Sequence, residues 1–369
     1  MDHPWTIPAG GGWFGREDID AVVLARPAHR PVLSDWFAEA NTPGASPTRP
    51  PWACRGWFAE AIAWIRTELR QHNRCVAGPV EQLRAWERSA LLRAPTEAGW
   101  VYFKAVPAMF AHEPVVTQAL AAWFPGAIPG VIALDPERRW LLLEDFGGAT
   151  LDRVDDPDHW AAAIRGYARL QVACVDRIPD IRSLGCPAWS LPEIAGYVAR
   201  FVADTAAFLP GQPDGLTEAE IERLQGLESN VGALLGEIAA AGIPLSLQHG
   251  DFGASNIAVV RTGYVFFDWS DCAITHPFFD LSLVLDGVDE RFSHDPTVST
   301  RLREAYLDVW TRYAPIERLR PTLDAALQVA PLVRAMVYHH TILPGMGDRW
   351  EMEAMAPHLA RRTIEAMAG

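Results

Sequence analysis

Between Leu245 and Leu285 the chain reads LSLQHGDFGASNIAVVRTGYVFFDWSDCAITHPFFDLSLVL, and no other stretch restricts the possible folds as strongly. An apolar run leads into His249-Gly250-Asp251, and a short loop follows that ends at Asn256. Ile257 to Val260 and Tyr264 to Phe267 are β-branched and aromatic runs separated by Arg-Thr-Gly, so a hairpin turning at Gly263 is predicted. The mouth of that hairpin would gather Asp251, Asn256 and Asp268. Two carboxylates and an amide oxygen suit phosphoryl transfer: one carboxylate takes the proton of an attacking hydroxyl, while an Asn and a second Asp hold Mg²⁺ against phosphates. The alternative is a solvated, Asp-rich turn between two strands.

The run His249-Gly250-Asp251-x4-Asn256, with a second strand ending in Asp268-Trp269, resembles the aminoglycoside phosphotransferase and choline kinase-like family. There the catalytic loop reads HGDxxxxN and the metal aspartate follows as DW or DxE. The resemblance covers roughly Val80 to Gly369. It implies an α+β, two-lobed, protein-kinase-like fold, with a small and mostly antiparallel β lobe carrying one helix and a larger, mostly helical lobe. It also implies an ATP- and Mg²⁺-dependent kinase acting on a hydroxyl of a small molecule. By that match Asp251 would be the catalytic base, Asn256 and Asp268 the metal ligands, and His249 a supporting residue of the loop.

The segment before this region divides into residues 1–76, an extension with a linker and an amphipathic helix, and 77–148, the β lobe with its hinge; residues 149–369 are the helical lobe. NTPGASPTRPP (Asn41 to Pro51) is dense in Pro, Gly, Ser and Thr and marks the linker. WFAEAIAWIRTELRQ repeats apolar residues at helical spacing and could lie over the next lobe. Trp5, Trp13 and Trp36 in the first forty residues are expected to be packing anchors.

From Val80 the pattern is β: VEQLRAW and ALLRAP form a hairpin, and GWVYFKAVP is a third strand. Lys104, in VYFKAV, is the only lysine in the chain. An ammonium on a flexible stem suits phosphate oxygens, although a strand-end lysine can also snorkel to solvent. In the resembled family this position contacts the nucleotide phosphates, and a helix supplies a carboxylate to it. Glu113, the sole acidic residue of the following helix, stands in that place; ordinary first-turn charge beside a Pro at N1 is the alternative. No GxGxxG precedes Lys104, and the loop there reads Trp86-Glu87-Arg88-Ser89, which leaves Arg88 or the Ser89 hydroxyl as possible nucleotide contacts. Glu144 to Gly148 matches the interlobe hinge, where backbone groups would bind the adenine edge.

Residues 157 to 242 are helical by period, and three more helices are expected around Val298 to Tyr313, Pro321 to Leu343 and Arg349 to Met367. Asp280 is expected as a helix cap that could also bond the catalytic-loop backbone. Asp271, His339, His340, Asp348 and Glu351 are candidates to face the acceptor.

Composition narrows the partners. Hydrophobic residues make up 49% and charged ones 21%, which is globular rather than disordered. A net charge of −14 argues against nucleic-acid or anionic-membrane surfaces and is compatible with a cationic acceptor. Five scattered cysteines without CxxC suggest reduced thiols, with Cys272 a small buried hydrophobe. MDHPWTIPAGGGW has no basic start with an apolar core, so a cytoplasmic protein is expected. The acceptor is left open among aminoglycosides, choline, sugars and homoserine-like alcohols. A catalytically idle nucleotide-binding protein is the rival from another class.

Overall fold

The computed structural model describes residues 12, 14–24, 29–40, 49–347, 349 and 352–367. Contacts divide the chain into two compact units, Met1–Ala59 and Glu60–Gly369. In the first, α1 (His29–Ala40) carries Trp36, whose ring meets Phe37 edge-on but remains more than half exposed, so it is not the buried anchor expected. Trp5 and Trp13 lie outside the described residues.

Helix α2 (Trp57–Gln71) buries Ala61, Ile65 and Leu69, one per turn, which is the stripe its sequence spacing dictates. Trp64 sets its ring edge-on to Phe103 and Trp140 of the sheet, at 5.7 and 5.6 Å. That sheet has five antiparallel strands in the order β1 (Glu81–Trp86), β2 (Ser89–Thr96), β3 (Gly99–Ala105), β5 (Trp140–Glu144) and β4 (Val131–Asp135). Period-two alternation sends Val101, Phe103 and Ala105 of β3 to one face and Lys104 to the other. α3 (Glu113–Trp123) follows β3 and begins with Glu113-Pro114.

The remainder is mostly helical: α4 (Pro157–Cys174), α5 (Ile178–Ser183), α6 (Leu191–Ala203), α7 (Glu218–Gly226), α8 (Glu228–Ala240), α9 (Leu281–Arg291), α10 (Pro296–Trp310), α11 (Ile316–Val337) and a C-terminal helix, Met355–Ala366. Small strands β6 (Ala149–Thr150), β8 (Ile257–Val260) and β9 (Gly263–Phe266) form one sheet, and β7 (Ser246–Gln248) pairs with β10 (Ala273–Thr275). The predicted hairpin is therefore β8–β9, with Val260 opposite Gly263. Among the described residues, no helix is long and apolar enough to cross a membrane.

Helix boundaries differ from expectation in three places, the first being the C-terminal helix, which begins at Met355 and not near Arg349. α11 starts at Ile316 rather than Pro321, because Leu319 and Leu323 continue the buried stripe across the proline and their packing outweighs one lost backbone bond. It then passes into a π-helical turn, Tyr338–Ile342. The periodic run from Thr217 breaks after Gly226 into α7 and α8 instead of forming one helix.

A buried polar knot fixes the loop after β7. Asp280, 3% exposed, accepts the His249 N–H at 2.7 Å and the Gly250 N–H at 2.9 Å, and the Tyr167 hydroxyl donates to it as well. Gln171, one turn beyond Tyr167, donates to the Leu247 carbonyl and accepts from the Tyr306 hydroxyl at 2.7 Å. Beside this knot His276 is buried against Phe278 and Phe279. Burial favours its neutral ring and lowers its pKa to about 3.

An imidazole that protonates near 6.5 when unfolded but only near 3 when folded removes stability as pH falls between those values. Urea unfolding at pH 7.5 and pH 5 should thus show a loss of about 2 kcal/mol traceable to this group. In His276→Asn, which can still cap the Phe278 N–H but does not titrate, the loss over that interval should shrink by about the same amount. Equal losses in both proteins would remove His276 from the account.

Candidate active site

The loop after β7 turns at Gly250, whose φ of +81° is left-handed and where a Cβ would run into the Asp271 carbonyl. Only glycine meets both conditions without strain. His249 is fully buried; its Nε2 donates to the Phe267 carbonyl at 2.9 Å, and its Nδ1 accepts the Asp251 N–H at 3.4 Å. The imidazole thus ties the loop to the chain just before Asp268.

Asp251 follows, with about a third of its side chain exposed. Asn256 Nδ2 donates to its Oδ2 at 3.1 Å and to its carbonyl at 2.9 Å. Arg334, from α11, donates to Oδ1 at 2.6 Å. One carboxylate thus stands at the cleft with an amide on one oxygen and a guanidinium on the other.

Asp268 adopts a left-handed backbone, φ +67°, which is uncommon for a residue with a side chain and is held here by its neighbours. Its Oδ1 accepts from Lys104 Nζ at 2.7 Å and from the Ser270 hydroxyl at 2.9 Å. Lys104 Nζ also donates to Glu113 Oε1 at 2.6 Å, so one ammonium bridges two carboxylates. Burial opposes the charge on Lys104, yet Asp268 and Glu113 outweigh it and hold the amine protonated above its ordinary range. Burial pushes Glu113 up to about 7 in spite of Lys104. Asp268 goes the other way: burial works against it, but Lys104 and Ser270 keep its carboxyl well below the usual carboxylate range. Its side chain is 43% exposed, so it keeps contact with solvent on one side.

The structure thus brings the six sequence candidates into two linked clusters: Asp251 with Asn256, and Lys104 with Glu113 and Asp268, joined through His249. Among the described residues no three His, Cys, Asp or Glu side chains form a metal cage. Asn256 and Asp268 supply oxygen donors of the kind Mg²⁺ takes when phosphates complete its shell.

Other expectations fare differently. Arg88 turns to the Asp271 carboxylate and to the Tyr338 hydroxyl, 3.2 Å away, and the Ser89 hydroxyl accepts from the Trp86 indole at 3.1 Å. Asp280 makes no cap bond to the helix it precedes and is spent on the loop N–H groups. His339 and His340 do not face the cleft: His339 bonds Asp204 at 2.9 Å and His340 packs on Tyr197, because the π turn rotates them towards α6. Asp348 and Glu351 lie outside the described residues. Cys272 is buried, and its thiol pKa is pushed well above the ordinary value by that burial. In the hinge segment Glu144 pairs with Arg74 at 2.7 Å, while Asp145 accepts the Gly147 N–H at 2.8 Å.

Sequence reasoning missed Arg334 and the Tyr167–Gln171–Tyr306 set. Tyr167 and Gln171 left a trace, being polar-tipped residues four apart in an otherwise apolar stripe. Arg334, an ordinary arginine in a long helix, left none.

The Lys104 bridge can be tested through stability alone. Glu113→Leu leaves a buried ammonium with one partner and should cost about 1–3 kcal/mol in urea unfolding, and Lys104→Met, which strands Glu113, should cost as much. The double variant should be less damaged than the sum of the two. Strict additivity would mean that the two side chains do not interact.

Residues 78–316 match the sequence profile described as the phosphotransferase enzyme family, well over half of the chain. No curated protein matches. Among solved structures, the choline kinase from Cryptosporidium parvum superposes with a TM-score of 0.61 at 10% identity, covering 84% of this chain and 95% of its own. A choline/ethanolamine kinase family protein from Mesorhizobium loti gives 0.54 at 15% identity over 84% and 95%. A macrolide 2′-phosphotransferase type I gives 0.54 at 13% over 81% and 96%. At such identities these likenesses establish the fold, the two-lobed kinase-like α+β architecture expected from the sequence.

Proposed function

Because the chain belongs to the phosphotransferase enzyme family, we propose that it moves the γ-phosphoryl group of ATP to a hydroxyl of a small molecule, with Mg²⁺. The observation that carries this reading is the linkage of two clusters through His249, whose ring bonds the Phe267 carbonyl beside Asp268 and the Asp251 N–H: Lys104 held by Glu113 and Asp268 in one, Asp251 with Asn256 in the other.

In the proposed reaction Asp251 orients the acceptor hydroxyl and takes its proton. The acceptor oxygen forms a bond to the γ-phosphorus as the bond from that phosphorus to the β-phosphate oxygen breaks, and ADP leaves with the electron pair. Positioning and charge stabilisation do most of the work in such transfers. Asn256 steadies the Asp251 carboxylate through the 3.1 Å bond, and His249 fixes the loop on which both stand. Lys104 supplies a fixed positive charge for phosphate oxygens, and Glu113 holds its side chain in the cleft. Mg²⁺, when bound, would neutralise phosphate charge, with Asn256 and Asp268 the residues that would hold it. Asp268 is kept ionised by Lys104, as a hard cation requires of its ligand.

Gly147 and Gly148 both have positive φ, and at Gly148 a Cβ would meet the Val259 carbonyl. The residues between the lobes therefore follow a backbone path that side chains would obstruct.

The roles separate experimentally. Asp268→Asn should weaken Mg·ATP binding about tenfold or more, measured by calorimetry, because it removes a charged ligand. Asp251→Asn should bind Mg·ATP as well as the parent and lose turnover by about a hundredfold or more in an ADP-release assay. Equal loss of nucleotide binding in both variants would contradict the division of labour.

A further inference from the structure

A cavity of about 140 Å³ opens beside the catalytic loop, where Gly250, Asp271 and Arg334 form part of its wall. Most of the remaining wall is apolar, with Phe110, Trp189, Cys272, Phe279, Val333 and Val337 contributing. Its size is close to that of an apolar cavity that accepts a benzene ring, about 150 Å³ in a well-studied case from another protein. The π-helical turn Tyr338–Ile342 brings Tyr338, Thr341 and Ile342 into the same wall. Single π turns inside helices are rare and recur at functional sites.

Among the described residues around this cavity, each carboxylate is already engaged. Asp271 is closed by Arg88, and Asp286, at the rim, by Arg362 at 2.6 Å. Asp280 is consumed by the loop N–H groups and Tyr167. Asp251 is paired with Arg334, which itself lines the cavity. Among the described lining residues, every carboxylate therefore has its partner. A polycationic acceptor would find no unpaired anion among these described residues, and shedding its water into apolar walls would be costly. The face of Tyr338 is not open to a quaternary ammonium either, since the Arg88 and Arg334 guanidiniums each lie 5.9 Å from that ring. His112, also in the wall, is kept neutral by burial, which lowers its pKa to about 4, so it adds no charge of its own.

We propose that the acceptor is an uncharged alcohol with an apolar group about the size of a six-membered ring, seated in this cavity with its hydroxyl directed to Asp251. The inference rests on the phosphotransferase reading above and narrows it to one chemical class. The reaction is unchanged: the alcohol proton passes to Asp251, the oxygen–phosphorus bond forms, and ADP departs.

The test pairs matched alcohols with a filled cavity. Benzyl alcohol and cyclohexylmethanol serve as neutral probes, and 4-(aminomethyl)benzyl alcohol and an aminoglycoside serve as cationic ones. Binding is read by saturation-transfer NMR and turnover by ADP release with Mg·ATP. The neutral probes should bind, and should be turned over about tenfold or more faster than the cationic pair at equal concentration. Val333→Phe, with Ala330→Leu as a milder filling should the first misfold, should abolish neutral-probe binding while Mg·ATP affinity stays as in the parent. Preference for the cationic probes, no binding of the neutral ones, or neutral-probe binding that survives the filled cavity would overturn the inference. Phosphorylation of the cationic probes alone would do so while leaving the phosphotransferase reading standing. Loss of that reading has a different signature: no Mg·ATP binding, with neutral probes still bound and still displaced by Val333→Phe.

Discussion

The candidate active site depends on one ammonium shared by two carboxylates. Lys104 lies near the end of a mostly apolar strand, and strand alternation turns it away from the face that packs under α2. A buried charge persists only if it is paired, and here the partners come from two separate elements, Glu113 from the first turn of α3 and Asp268 from the segment after β9. One contact therefore fixes the sheet, the helix and the end of the hairpin at the same point. The two carboxylates are not equivalent. Glu113 is almost wholly buried and is pushed towards neutrality, whereas Asp268 keeps water on one side and stays ionised. The same bridge thus yields one structural acid and one ionised acid facing the cleft.

A second constraint holds the loop opposite. Asp280 takes two consecutive backbone N–H groups of the loop, and Tyr167 reinforces it from α4. Gln171 and Tyr306 carry the network to α10, so the position of Asp251 is referred to three elements of the helical lobe. Networks of this kind are valuable only when every member is satisfied. A carboxylate placed on a loop gains from it the fixed geometry that a strand or helix would otherwise supply.

Much of this was legible in the sequence, for identifiable reasons. The hairpin was readable because β-branched and aromatic runs flank a glycine turn, and Asp251, Asn256 and Asp268 follow from its ends. Lys104 and Glu113 were readable because each is singular in its element, a lone lysine in an apolar strand and a lone acid in a helix. The contacts that link residues far apart in the chain were not. Arg334 reaches Asp251 across 83 positions and Arg88 reaches Asp271 across 183, and neither arginine differs locally from a solvated one. His339 and His340 were misjudged because a π turn adds a residue to the helical period and rotates the faces that follow it. The cap expected of Asp280 gave way for a related reason: helix-start statistics describe local bonding, and a more distant pair of unsatisfied N–H groups claimed the carboxylate.

Total charge and local charge are separate matters at the proposed acceptor cavity. A chain at −14 invites a cationic partner, yet charge acts through unpaired groups at the site and not through the total. Around the cavity Asp251, Asp271 and Asp286 are each matched by an arginine whose planar fork suits a carboxylate, while Asp280 is met by backbone N–H groups and Tyr167. The basic residues differ in how they pair: each cavity arginine takes one carboxylate, whereas the single lysine bridges two. Arginine neutralises a carboxylate through fixed, directional bonds, while an ammonium remains a point charge that can be shared among several oxygens. A cleft that combines a shareable ammonium with closed carboxylates is electrostatically prepared for phosphate on one side. On the other side it offers a neutral, apolar wall.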